Sequence, residues 1–179
     1  SCPCWMSRSG WRPSRRPRGS RHYHGVVATR VSAGILLYRL AEARLEFLLA
    51  HPGGPLFARR DAGAWSIPKG EPAGDEPLLD VARREFAEET GHPVPDGAIL
   101  DLGTIVQKGG KVVFAWAVEG DLDPASAVSN TFDMEWPPKS GRTAAYPEID
   151  RVAWFGPTEA RLRIKAAQIP LLERLEAEL

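Results

Sequence analysis

Apolar positions along the chain follow two rhythms. Val31–Leu40 and Leu45–Ala50 are nearly continuous apolar, β-rich runs separated by the polar Ala41–Arg44. They predict two neighbouring strands. His51-Pro-Gly-Gly-Pro55 breaks the pattern and predicts a loop. Trp65-Ser-Ile67 predicts a short strand stopped by Pro68, and Gly70–Asp75 a polar loop. Ile99–Gln107 and Lys111–Val118 flank Lys108-Gly-Gly110, the pattern of a β-hairpin. Asp121–Arg142 is proline-rich and aperiodic, which predicts irregular chain, and Arg151–Phe155 predicts a further strand. The second rhythm is helical. Glu76–Thr90 predicts a helix with Asp75 as N-cap, Pro77 in the first turn and Gly91 as the stop. Pro157–Ile164 and Ile169–Leu179 predict two more, the last with Leu171, Leu172, Leu175 and Leu179 on one face. That face serves either the core or an interface between copies, so a homodimer is compatible with it. Strands, a helix, more strands and then helices give an α+β domain with a mixed sheet.

Composition narrows the class. The chain has 179 residues, 43% hydrophobic and 26% charged, enough for one domain with a real core. The formal net charge is zero, so no global field draws it to nucleic acid or an anionic membrane. Its longest apolar runs, such as Val112–Val118, are too short to span a bilayer. Cys2 and Cys4 lie together at the start, which excludes a disulfide framework and fits a reducing, cytoplasmic compartment. Residues 1–25 carry arginines (Arg8, Arg12, Arg15, Arg16, Arg18, Arg21) and no acid. Such a segment cannot bury enough apolar surface to offset its ordering entropy, and it predicts a disordered basic tail ahead of a domain at 26–179. A transit peptide or a nucleic-acid-binding arm are sharper readings of the same tail.

Candidate chemistry concentrates on the helix at Glu76–Thr90. At about 100° per residue, Leu78, Leu79, Ala82 and Phe86 share a core-facing arc, with Asp80, Arg83 and Arg84 away from it. Glu85, Glu88 and Glu89 span only about 100° of the wheel, and Glu89 falls on the protein-facing side. All three lie in the last two turns, where the helix dipole disfavours each by roughly 0.3–1 kcal/mol. Crowded and half turned inward, they repel one another. A divalent cation removes that conflict, and oxygen-only ligands select Mg²⁺, with Mn²⁺ the alternative. Arg84, one turn before Glu88, can brace a carboxylate.

Gly70, Glu76 and Arg84-Glu85-Phe86-Ala87-Glu88-Glu89-Thr90-Gly91 together resemble the signature box of the Nudix hydrolases. Every fixed position of that box is present at its spacing. One neighbour departs, since His92 follows Gly91 where an aliphatic residue is usual. The resemblance covers roughly Val26 to Leu179. It implies an α/β/α sandwich with the box as a loop–helix–loop over a mixed sheet. It also implies roles. Glu85, Glu88 and Glu89 would ligate metal with the Gly70 carbonyl, and Arg84 would orient a glutamate. Glu76 would support the loop or contact a further metal. The general base would be Glu89 or Glu88, or else Glu148 from outside the box. The implied reaction is hydrolysis of a nucleoside diphosphate linked to another group. The segment Trp65-Ser-Ile-Pro-Lys-Gly70 resembles the pre-box stretch of dinucleoside polyphosphate hydrolases. It makes Lys69 the first candidate for binding a polyphosphate, with Arg59, Lys111, Lys139 and Arg142 behind it and Trp136 a candidate for stacking on a base. A nucleotide-binding module without activity and a hydrolase of RNA ends are the alternatives. The intact box argues against the first, and the balanced charge after residue 24 argues against the second.

Overall fold

Val31–Ala41 forms β1, buried without interruption from Ser32 to Tyr38. A strand covered on both faces needs this continuous apolar run, and β1 lies at the centre of the sheet. The computed structural model describes residues 30–179. The basic tail, Cys2 and Cys4 lie outside the described residues. β2 is Arg44–Pro52, β3 Lys69–Gly70, β4 Ile99–Val106, β5 Val112–Glu119 and β8 Ile149–Phe155. The sheet runs β4-β5-β1-β2-β8, with β3 also paired to β1. β1 and β5 are parallel while the other pairs are antiparallel, so the sheet is mixed, as the pattern predicted.

Alternate side chains of the strands point to opposite faces, and each face carries a helical layer. Leu36, Tyr38, Phe47 and Leu49 pack with Ala160 and Ile164 around α2 (Pro157–Arg163) and with Leu171, Leu172 and Leu175 of α3 (Ile169–Glu178). Leu171, Leu172 and Leu175 of the leucine face therefore belong to the core, while Leu179 is exposed. Ala33, Ile35, Leu37, Leu48 and Ala50 pack on the other side with Val81, Ala82 and Phe86 of α1 (Leu78–Thr90). Each large apolar side chain so buried contributes roughly 1.5–3 kcal/mol. The result is the expected α/β/α sandwich.

Three local expectations differ from the structure. Trp65-Ser-Ile67 makes only isolated bridges, Ser66 to Ala50 and Trp65 to Ile164, and regular pairing starts beyond Pro68 at Lys69. β1 and β2 diverge, and this segment fills the wedge between them, with Ile35 N–H donating to the Pro68 carbonyl at 3.1 Å. The helix α1 begins at Leu78 with Pro77, not Asp75, in the capping position. Glu76 stays outside it because its carboxylate accepts from Arg84 and from Ala73 N–H. Finally, Asp121–Arg142 is not all irregular. Ten residues beyond its start it enters β6 (Thr131–Glu135), which pairs with β7 (Thr143–Pro147) in a separate hairpin. The prolines that masked it lie at its margins, Pro124 in a 3₁₀ turn and Pro137 and Pro138 at the tip.

Candidate active site

Glu85 and Glu89 of α1 face the protein. The buried residues Val81, Ala82, Phe86 and Thr90 define its inner arc, and Glu85 and Glu89 fall within that arc on the wheel. Glu85 is held against the strand that precedes the helix. A Cβ built on Gly70 would lie 1.9 Å from the Glu85 carboxyl carbon and 2.0 Å from one of its oxygens. Only glycine allows the backbone of β3 to approach so closely. Pairing of Gly70 with Ala33 of β1 fixes that approach.

Arg84 organises the acids from the outer side. Its Nε and Nη2 donate to the two Glu76 oxygens at 3.1 and 3.0 Å, a forked contact. Its Nη1 donates to Glu85 at 2.7 Å and reaches Glu88 at 3.3 Å, while Nη2 also donates to the Glu71 carbonyl. The guanidinium holds Glu76 below the usual carboxylate range. It thus ties the loop ahead of the helix to the helix itself.

Glu89 lies deeper. It accepts the Lys69 backbone N–H at 3.1 Å. Burial, opposed by the Lys69 ammonium and reinforced by Glu85 and Glu148, pushes its carboxyl up to about 7. Burial also raises Glu85, with Arg84 opposing it and Glu88 and Glu148 adding to the rise. Glu148, exposed just ahead of β8, is therefore within electrostatic reach of both acids. Its position follows from the backbone: Asn130 N–H donates to the Glu88 carbonyl at 3.0 Å, and Glu148 N–H to the Asn130 carbonyl at 2.8 Å.

The cationic candidates divide. Lys69 and Lys111 join the site: Lys69 is half-buried next to Glu89, and Lys111 pairs with Glu71 at 3.0 Å and faces Lys69. Arg59 is exposed on the loop after β2. Trp136, Lys139 and Arg142 are at the tip of the β6–β7 hairpin, where Trp136 N–H donates to the Arg142 carbonyl. At about 3.3 Å per residue the tip is roughly 20 Å along the strand from Asn130. Among the described residues no ion pair links these four to the acids of α1, whose partner is Arg84. His92 uses its ring on Ser126, with Nε2 2.9 Å from the hydroxyl oxygen, and so anchors the turn after α1.

Two members of this neighbourhood escaped sequence reasoning. Lys165, between α2 and α3, lies within electrostatic reach of Lys69, Lys111 and Glu89, and it lines a cleft with Gln107. Neither lies in a motif. Lys165 arrives through a long-range backbone contact, its N–H donating to the Trp65 carbonyl at 2.8 Å.

Among the described residues no three acids, imidazoles or thiols close on one point as a metal cage. The donor set nevertheless fits a hard cation. It consists of carboxylates and a carbonyl, two of the acids are raised by burial and mutual repulsion, and Gly70 leaves room against Glu85. Mg²⁺ commonly takes only one or two carboxylates and fills its remaining positions with water and substrate phosphate, so an open set suits it.

Comparison with known proteins bears on the family and the fold. The family model described as NUDIX domain matches residues 28–175. No curated protein gives a significant match. Solved structures share the fold at low identity. A C. elegans Ap4A hydrolase in a binary complex is 20% identical with a TM-score of 0.59, covering 82% of this chain and 96% of that one. The NUDIX domain of Shewanella oneidensis NrtR, complexed with ADP ribose, is 17% identical with a TM-score of 0.59, covering 84% and 88%. A MutT protein from Methanosarcina mazei Go1 is 21% identical with a TM-score of 0.52, covering 84% and 94%.

Proposed function

The chain belongs to the Nudix family, and on that premise we propose that it is a Mg²⁺-dependent pyrophosphohydrolase of the cytoplasm that cuts a phosphoanhydride bond of a nucleoside diphosphate linked to another group. Nucleoside triphosphates and dinucleoside polyphosphates are the favoured substrates. The observation that carries this reading is the enclosure of Glu85 and Glu89 on the inner face of α1, with Gly70 pressed against the Glu85 carboxylate. No surface role explains acids turned inward at the negative end of a helix dipole.

Glu85, Glu88 and Glu89, with the Gly70 carbonyl, would hold the cation. When bound, the ion supplies charge neutralisation on the phosphate oxygens and a lowered pKa for water. Arg84 fixes the directions of Glu85 and Glu76 through its fork. Glu89 or Glu88 accepts a proton from the attacking water, and Glu148 is the base available from outside the helix. Lys69 and Lys111 bind anionic oxygens of the polyphosphate. The Ap4A hydrolase among the structural neighbours is compatible with such a substrate, and the Trp65–Gly70 segment supports it independently.

The test is a panel of nucleoside triphosphates, dinucleoside polyphosphates, nucleotide sugars and ADP-ribose, incubated with the protein and Mg²⁺ and separated by chromatography. We expect cleavage at a phosphoanhydride bond, abolished by chelation. Glu88→Gln and Glu89→Gln should each lower the rate by about 10²-fold or more. Tight nucleotide binding with no cleavage of any compound would overturn the hydrolase reading in favour of a non-catalytic nucleotide-binding module.

A further inference from the structure

Glu148 is the one residue between β7 and β8, at the corner where the chain leaves the small hairpin sheet and enters the main one. It is exposed, yet its backbone is held on both sides. Its N–H donates to the Asn130 carbonyl at 2.8 Å, and its carbonyl accepts the Gly53 N–H at 2.9 Å. The first contact carries the β6–β7 ladder one rung past its last pair, Thr131 with Pro147. Beyond that rung the two chains part, because Ile149 pairs with Pro52 of β2. Ser129 then supplies a further rung from its side chain. Its Oγ accepts the Ile149 N–H at 3.0 Å and donates to the Asn130 carbonyl at 2.8 Å.

The segment that carries Ser129 is itself bolted to α1. The last carbonyls of a helix have no partner within it. Val128 N–H donates to the Thr90 carbonyl and Asn130 N–H to the Glu88 carbonyl, each at 3.0 Å. Two hydrogen bonds in series therefore join the backbone of Glu88 to that of Glu148, and Ser129 braces the Asn130 carbonyl through which they run. Gly53 closes the clamp from the opposite side. A Cβ at this position would lie 2.0 Å from the Pro147 carbonyl oxygen, so glycine is what lets the chain beyond β2 lie so close. That approach gives the first glycine of His51-Pro-Gly-Gly-Pro55 its use. A misplacement near 1 Å can cost about 10²-fold in rate, so an exposed acid that serves as a base needs a fixed backbone.

We propose that Ser129 is a positioning residue: with Gly53 opposite, it clamps the corner at Glu148 against the last turn of α1 and so sets the place from which that carboxylate takes a proton from the attacking water. This role rests on the reading of Glu148 as the base from outside the helix.

A double-mutant cycle, read as turnover of a nucleoside triphosphate with Mg²⁺, tests it. We expect Glu148→Gln to lower kcat by about 10²-fold or more. Ser129→Ala should lower kcat by about tenfold with KM within about twofold. Ser129→Thr keeps the hydroxyl and should stay within about threefold of wild type. Gly53→Ala disturbs the opposite jaw and should lower kcat by about tenfold or more. In the Glu148→Gln background, Ser129→Ala should cost less than about twofold, because the group it positions is gone. Equal cost in both backgrounds would show a general loss of structure and overturn the role. Ser129→Ala within about twofold of wild type would overturn it as well. Glu148→Gln within about twofold of wild type would remove Glu148 from the chemistry, and the positioning role with it, while the hydrolase reading stands. Amide hydrogen exchange gives a readout without turnover. Ser129→Ala should speed exchange at Glu148 and Ile149 by about tenfold or more and leave the amides of α1 within about twofold. Unchanged exchange at both would overturn the clamp. If no substrate is cleaved, the hydrolase reading fails, and the faster exchange alone upholds the clamp on Glu148.

Discussion

The acids and the cations of this site are built in opposite ways. Glu85, Glu88, Glu89 and their brace Arg84 share one helix, and Gly70 and Glu76 precede it by a single loop. Lys69, Lys111 and Lys165 come from three places in the chain, with β3 paired to β1 and the α2–α3 connection docked on Trp65 and Ile67. The acid side is thus fixed by local geometry and resists change elsewhere, while the cationic side can vary without disturbing the helix.

The sharpest way to break the comparison is on the acid side. Glu89→Gln should lower kcat by about 10²-fold or more. Its melting temperature should hold or rise, because Glu89 is a buried acid repelled by Glu85 and Glu148. Gly70→Ala comes next. The added Cβ meets the Glu85 carboxylate at 1.9 Å and must displace it, and a misplacement near 1 Å can cost about 10²-fold in rate. Arg84→Lys should raise the Mg²⁺ concentration needed for half-maximal rate by about 10–100-fold, since a lysine cannot make the forked contact to Glu76. Trp136→Ala, at the hairpin tip, should change turnover by less than about threefold if the hairpin stays roughly 20 Å away along its strands. A larger loss would show that the hairpin folds over the substrate. The smallest effect belongs to His92→Leu, within a few-fold of wild-type turnover, because the ring serves only the turn at Ser126. A loss above roughly a hundredfold, about 2.7 kcal/mol, would place His92 in the chemistry instead.

The same division explains what could be read in advance. The mixed sheet, the helix and the box residues were legible because apolar period and residue spacing are local properties. The inward turn of Glu89 was legible too, from the wheel alone. Lys165 was not: nothing in Arg163-Ile-Lys165 marks it, and its place depends on a contact with Trp65 a hundred residues away in sequence. The β6–β7 hairpin was hidden by prolines that sit at its margins. The N-cap at Asp75 was misplaced because the competing contact, Arg84 drawing Glu76 out of the first turn, comes from two turns further along the helix. Trp136, Lys139 and Arg142 carry suitable chemistry, but residue type alone does not say where a hairpin points.

The central claim is that water attacks phosphorus under the control of the α1 carboxylates. Turnover of a nucleoside triphosphate in water enriched in heavy oxygen, followed by mass analysis of the products, tests it most directly with wild type and Glu89→Gln side by side. The account predicts heavy oxygen in one phosphate-containing product of the wild-type reaction, and loss of that product in the variant. Unlabelled products, or equal label from Glu89→Gln, would contradict it.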